Sequence, residues 1–351
     1  MIKSRSPLRL HEVAKVARVS VSTVSRALSN DEKVNSKTKQ RILAVTQVLE
    51  GQGKGMRNRM QPSLLTGNAI ALVQPEYNSF CGDGNTEISV CVLENLQNVM
   101  EANGSSVIPV RLKEYKGYSW LDCIRQAKGL IGYRLRDEDT GRFISAARTA
   151  GLPFVLLNRT DSDPTVPVCT TDHVQAGRMA AMHLLDLSHK RVGMIFNSLD
   201  IQSNQQRFQG IREVMQIRNI QFDPACLMSD VNTVEAVGNS LETLVMELGV
   251  TAIVSAHDRL GKIILSEAAK RKIQIPDQVS LISFDGTEEG AFLHPALTSI
   301  YTPWSEMAKM AGQLLLWMMH DALLSQTKLV WSPRLIQRGS TAKPFSEKNP
   351  L

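Results

Sequence analysis

Aromatic residues make up only 5% of this 351-residue chain, and no apolar run lasts long. The longest stretches, such as Ile70–Val73 and Leu314–Met319, fall far short of the roughly 18–20 residues that span a bilayer. A membrane helix is therefore not expected. The basic N-terminus has no apolar core and no small-residue cleavage site behind it, so no signal peptide is expected either. Cysteine is scarce as well. The five, at positions 81, 91, 123, 169 and 226, are odd in number and widely spaced, with no Cys-x-x-Cys and no Cys/His cluster. That pattern excludes a disulfide framework and a zinc site, and suits small buried hydrophobes in a reducing cytoplasm. Motifs of catalysis are missing too: no Gly-x-Ser-x-Gly, no phosphate loop and no His-Glu-x-x-His. No enzyme, cofactor or metal is expected.

What is present is enough apolar residue to fold, 43%, in a chain long enough for two or three domains. The charge is unevenly spread. Residues 1–60 hold 13 Lys and Arg against four acids, a surplus of +9, while the other 291 residues sum to −3. A small basic head on a slightly acidic body suggests a polyanionic partner for the head.

The head reads as three short helices. Leu10, Val13, Ala14 and Ala17 recur at i, i+3, i+4 and i+7, the stripe of an amphipathic helix whose alanines allow close approach. Arg18-Val19-Ser20 interrupts it, and Ser20 is a good N-cap for a second helix, Val21–Leu28. That helix turns Val24 and Leu28 inward and shows Ser22, Thr23, Ser25 and Arg26. Asn35 caps a third, with Thr38, Ile42, Val45 and Leu49 inward. Three helices with a three-residue turn between the first two form a helix-turn-helix, whose second helix enters the DNA major groove.

Over residues 9–49, including "LHEVAKVARVSVSTVSRALSNDEKVNSKTKQRI", the chain resembles the lac/gal repressor family of bacterial transcription regulators. The resemblance implies that Val21 and Ser22 read base edges and that Arg26 pairs with a guanine edge or a phosphate. It places Ser20, Thr23 and Asn30 on phosphates, which position the head without reading sequence. Arg18 stands where many relatives have glycine. The hinge departs further. Relatives carry a Gly-Tyr-x-Pro-Asn segment that wedges leucines into the minor groove, whereas this chain reads "LEGQGKGMRNRMQPSL". Gly51, Gly53 and Gly55 each cost a helix about 1 kcal/mol relative to alanine. Met60 aligns with the wedging leucine and Arg57 adds charge beside it; the alternative is a flexible linker.

From Asn68 onward, short apolar strands alternate with helical patterns, which argues for parallel, doubly wound sheets. Strands are expected at 69–73, 107–110, 130–133, 154–157, 192–196, 252–255, 281–284 and 297–301. The body resembles the family's two-lobed periplasmic-binding-protein-type effector domain, through "TDHVQAGRMAAMHL", "HKRVGMI", "QRFQGI" and "VSAHDRLG". The expected architecture is an all-α helix-turn-helix head (1–49), a hinge (50–66) and an α/β two-lobed effector domain with a tail (342–351). The first lobe would take 67–160 and 291–323, the second 161–290 and 324–341.

Open α/β sheets bind ligands at the carboxyl ends of their strands. By resemblance, Arg207 and Asp258 align with the arginine and aspartate that hydrogen-bond sugars or nucleobases, with an interlobe salt bridge as the lesser alternative for Arg207. Asn158 and Asp285 follow strands and align with cleft positions; a turn-forming role stays open for each. Trp304 and Phe80 suit core packing better than ring stacking. The resemblance implies a repressor that binds a pseudo-palindromic DNA operator as a homodimer under control of a small effector, most simply a sugar. A solute-binding module whose head no longer reads sequence is the alternative.

Overall fold

The structure is a computed structural model that describes residues 13–14, 17, 19–29, 31, 34–35, 38–39, 41–42, 68–75, 86–112, 120, 124, 126–321, 324 and 326–344. In the head, helix α1 (Val21–Leu28) begins and ends as its sequence predicts. Val24 and Ala27 are buried with Val13, Ala14, Ala17 and Ile42, so both alanines of the stripe lie in the core of the head. Val90, from the first helix of the body, joins the same cluster.

The body holds two six-stranded sheets. Continuous Ile/Val/Leu runs such as β1 (Ala69–Pro75), β3 (Gly129–Tyr133) and β4 (Phe154–Leu157) leave almost no exposed position, the mark of strands covered on both faces. With β2 (Ser106–Leu112), β5 (Val168–Thr171) and β11 (Lys328–Trp331) they form the first sheet, in the order β11-β5-β4-β3-β1-β2. All its pairings are parallel. The second sheet runs β12-β10-β9-β8-β6-β7. It comprises β6 (Val192–Ile195), β7 (Leu227–Met228), β8 (Ala252–Ser255), β9 (Ser280–Asp285), β10 (Thr298–Tyr301) and β12 (Arg334–Ile336), the last antiparallel.

Helices cover the sheets. Around the first lie α2 (Thr86–Glu101), α3 (Asp137–Thr149) and, late in the chain, α8 (Trp304–His320). Around the second lie α4 (His173–Asp186), α5 (Gln202–Ile217), α6 (Val234–Glu242) and α7 (Asp258–Lys270). After α6 the helical path closes with a π turn, Thr243–Glu247.

Strand pairing divides the lobes differently from the expected boundaries. Residues 161–290 were assigned to the second lobe, yet β5 pairs with β4 and β11 in the first sheet. Residues 291–323 were assigned to the first, yet β10 pairs with β9 in the second. Residues 324–341 split, β11 to the first sheet and β12 to the second. A four-residue apolar strand carries no local sign of its neighbour, because parallel partners are chosen by long-range packing. The chain thus crosses between lobes three times: between β5 and α4, between β10 and α8, and between β11 and β12.

Candidate functional site

In the head, the Ser20 hydroxyl accepts from the Thr23 amide at 3.1 Å, the expected N-cap, and lies 2.7 Å from the Thr23 hydroxyl and 2.8 Å from that of Ser22. The hydroxyls of Ser20, Ser22 and Thr23 therefore sit together at the N-terminus of α1. Ser22 and Arg26 are exposed, and their four-residue spacing puts them on one face. Val21, named as a base reader, is half-buried against the head core. Asn30, Arg57 and Met60 lie outside the described residues, as do Arg18 and Phe80.

The second candidate site lies at the carboxyl ends of the strands, where the chain passes between lobes. Three residues there adopt positive φ without being glycine: Arg134 after β3 (53°), Asn158 after β4 (59°) and Asp285 ending β9 (109°). Backbone held in sparsely populated regions is the kind of strain that gathers at ligand sites. Asn158 faces His173, the first residue of α4, with its Oδ1 2.9 Å from His173 Nε2. Asp172 caps the same helix by accepting from the Gln175 amide at 2.8 Å.

Arg207, on α5, is 4% exposed. Its guanidinium stacks over Phe284, 4.4 Å from the ring centre, and donates from Nη1 to the Ala256 carbonyl at 2.7 Å. Nη2 approaches Asp285 only to 4.0 Å, and Nε has no acceptor. Burial lowers its pKa to about 10, so it remains a cation at neutral pH. Burial pushes Asp285 the other way, to about 7, against the pull of Arg207. His173, wholly enclosed and facing the charges of Arg207 and Arg134, has its pKa driven well below 6.5 and stays neutral. Its Nδ1 has no partner.

Asp258, the first residue of α7, is placed otherwise than its pairing with Arg207 suggests. Its Oδ1 accepts from Ser299 Oγ at 2.6 Å, and its Oδ2 from the Thr287 amide at 2.7 Å and hydroxyl at 2.9 Å. It ties α7 to β10 and to the loop after β9, and the carboxyl that faces Arg207 is Asp285. The neighbouring His257 caps α7, its Nδ1 accepting from the Leu260 amide at 3.2 Å. Trp304 is buried in the first lobe's core, edge-on to Tyr133 with ring centres 6.2 Å apart.

Sequence reasoning missed two residues. Arg134 follows β3 just as Asn158 follows β4, so the strand-end rule applied to every strand would have found it. Its guanidinium lies about the same distance from two rings, 5.9 Å from Tyr133 and 6.0 Å from Trp304. His173 is a lone histidine at a helix start, with no motif around it that would mark it.

Residues 9–50 match the family model of bacterial regulatory proteins of the lacI family, and residues 181–341 match the periplasmic binding protein-like domain. The chain is 25% identical over 340 residues to the HTH-type transcriptional regulator DegA of Bacillus subtilis, covering 95% of this chain and 98% of that protein. Among solved structures, the complex of the transcriptional regulator CelR with cellobiose superposes with a TM-score of 0.68 at 20% identity, over 94% of this chain and 99% of that one. The lac repressor dimer bound to operator and an anti-inducer gives 0.64 at 18%, over 96% and 100%. These likenesses establish a shared fold. With the helix-turn-helix head and the two-lobed body, the matches show that the chain belongs to the lacI family of bacterial regulatory proteins and is a DNA-binding transcriptional regulator with an effector-binding domain.

Proposed function

We propose that the protein is a cytoplasmic repressor that binds a pseudo-palindromic operator as a homodimer, and that a small carbohydrate held between the lobes changes its grip on DNA. The observation that carries the effector part is the gathering of Asn158, His173, Arg207 and Asp285 at the lobe crossings, with His173 Nδ1 and Arg207 Nε buried and unpartnered. A buried polar group left without a hydrogen bond costs about 1–3 kcal/mol. Ligand hydroxyls that meet these atoms recover that cost only in the closed arrangement, and an effector shifts an equilibrium only through such differential affinity. One head reads a half-site, so a palindrome calls for two. Ser20, Ser22, Thr23 and Arg26 would make its contacts, with Val21 reaching a base edge by its exposed part and Asn30, Arg57 and Met60 extending the surface. The cellobiose held by CelR and the dimeric state of the lac repressor on operator support this reading by analogy.

The test is sequencing of genomic fragments retained by the purified full chain at one stated salt concentration, since non-specific affinity falls steeply with salt. An enriched palindrome, released or tightened by a carbohydrate, is expected. Uniform retention with no shared motif would favour a solute-binding module with an inactive head.

A further inference from the structure

The segment that leaves β4 is fastened to both lobes. On the side of the first lobe, Arg159 is 7% exposed, donates from Nη1 to the Leu135 carbonyl at 2.9 Å and pairs with Asp137 at the start of α3. The Asp161 carbonyl accepts from Lys328 Nζ, on β11, at 2.8 Å. Thr160 stands between these two anchors and is therefore a fixed point of the first lobe.

From the second lobe, α5 reaches Thr160 with its opening turns. Gln202 Oε1 accepts from the Thr160 amide at 2.8 Å and from its hydroxyl at 3.0 Å, and Gln202 Nε2 donates to the Thr160 carbonyl at 3.1 Å. Gln206 Nε2 donates to the Thr160 hydroxyl, also at 3.1 Å. One carboxamide thus takes both main-chain groups of Thr160, as a neighbouring strand would. The hydroxyl donates to one glutamine and accepts from the other, using both of its capacities. Two glutamines four residues apart share one face of a helix, which is why both reach the same threonine.

What this contact holds in place matters for the cleft. Gln202 and Gln206 stand on the helix that bears Arg207, and Thr160 stands two residues after Asn158. A shift of α5 away from the segment after β4 would carry Arg207 away from Asn158. Asn158 and His173 make a second link between the lobes, at 2.9 Å, but both are buried, whereas Thr160, Gln202 and Gln206 are half-buried. Hydrogen bonds within reach of water exchange partners at small net cost, so these open and re-form more readily than a core contact. Lobes joined by a few chain crossings open and close about them, and contacts made across the gap set the balance between the two arrangements.

We infer that Thr160, Gln202 and Gln206 are positioning residues that form a clasp between the lobes and hold α5 at the spacing at which Arg207 and Asn158 open onto one cleft. The clasp goes beyond the carbohydrate reading of that cleft and is independent of which effector enters it.

The test is hydrogen–deuterium exchange of the full chain at pH 7, resolved to single amides by fragmentation, with no ligand added, for wild type, Q202A, Q206A and T160S. Q202A removes three of the four hydrogen bonds and should speed exchange of the Thr160 amide at least about tenfold. It should also speed exchange where the strands of both lobes end at the cleft, at Arg134–Leu135 and Gly286–Thr287, while β3 and β8 keep their wild-type rates. Q206A removes one bond and should show a smaller rise at the same places. T160S keeps the hydroxyl and the main chain and should match wild type. A faster Thr160 amide with both cleft segments unchanged would overturn the inference, since the glutamines would then tie down only a loop. A rise spread evenly through β3 and β8, in Q206A as in Q202A, would overturn it in favour of a general loss of packing. Both of these outcomes leave the carbohydrate reading of the cleft intact, because no effector takes part in the measurement.

Discussion

Gly177 on α4 lies against the backbone of Arg207 on α5, so closely that a Cβ at Gly177 would stand 2.0 Å from the Arg207 carbonyl oxygen. The contact is reciprocal, since a Cβ at Gly210 would stand 2.0 Å from the Val174 carbonyl oxygen. The two glycines let the helices touch backbone to backbone at the level where α4 presents His173 and α5 presents Arg207. Gly177→Ala must push the helices apart, because the obstacle is main chain and not a side chain that can swing away. The expected cost is about 1–3 kcal/mol, as for overpacked cores. Urea unfolding checks the cost. Effector affinity should fall as well, because the Arg207 fork moves with its helix; a variant that is destabilised but binds effector normally would refute the positioning role.

Arg207 and Asp258 are expected to separate by experiment, although sequence paired them. Asp258→Ala strips the acceptor from Ser299 and from both Thr287 donors, so it should destabilise the second lobe by about 1–3 kcal/mol or more. Arg207→Lys keeps a cation over Phe284 but loses the planar fork. It loses one buried hydrogen bond, to the Ala256 carbonyl, against three for Asp258→Ala, so it should cost folding less than that variant and weaken effector response at least about tenfold. Denaturation midpoints set beside operator release would show the two effects falling on different variants.

For the head, Arg26→Ala is expected to cost about 1–3 kcal/mol on the preferred operator if the guanidinium reads a guanine edge, with relaxed preference at that base pair. A phosphate contact would instead weaken every sequence alike and reduce the salt slope by about 1. Titrations of the operator and of one scrambled duplex at several salt concentrations distinguish the two. Ser20→Ala acts mainly through folding: its oxygen caps α1, and loss of such a cap costs about 1 kcal/mol.

Much of this was legible in sequence because the periodic signals are local. The limits of α1 follow from Ser20 as a cap and from the apolar spacing of Val24 and Leu28. Eight strands announce themselves as short apolar runs. What sequence concealed is long-range. Val168–Thr171 and Lys328–Trp331 are too short and too mixed to reveal that they pair with each other. Asp258 and Asp285 are both aspartates at the ends of apolar strands, and only the fold shows that Ser299 and Thr287 claim the first while the second faces Arg207. The close approach of α4 and α5 rests on two glycines, Gly177 and Gly210, and nothing local to either says which helix it will meet.

Asp285 gives the stability of the protein a distinctive dependence on pH. Burial raises its pKa from 3.8 to about 7. Between those values the folded chain keeps a proton that the unfolded chain has released, so this residue's contribution to stability falls as pH rises through the window and levels off above about 7. His173 acts in the opposite sense. Its pKa is driven well below 6.5, so below about 6.5 the unfolded chain takes up a proton that the folded one refuses, and stability falls with acid. Asp285→Asn isolates the first effect. At pH 5 the carboxyl is protonated and the amide is close to its isostere, so wild type and variant should melt together. At pH 8 the wild type must hold a carboxylate in a wholly buried position while the variant does not, and the variant should melt higher. A melting difference that is constant from pH 5 to 8, or that reverses sign, would mean that Arg207 holds Asp285 ionised throughout.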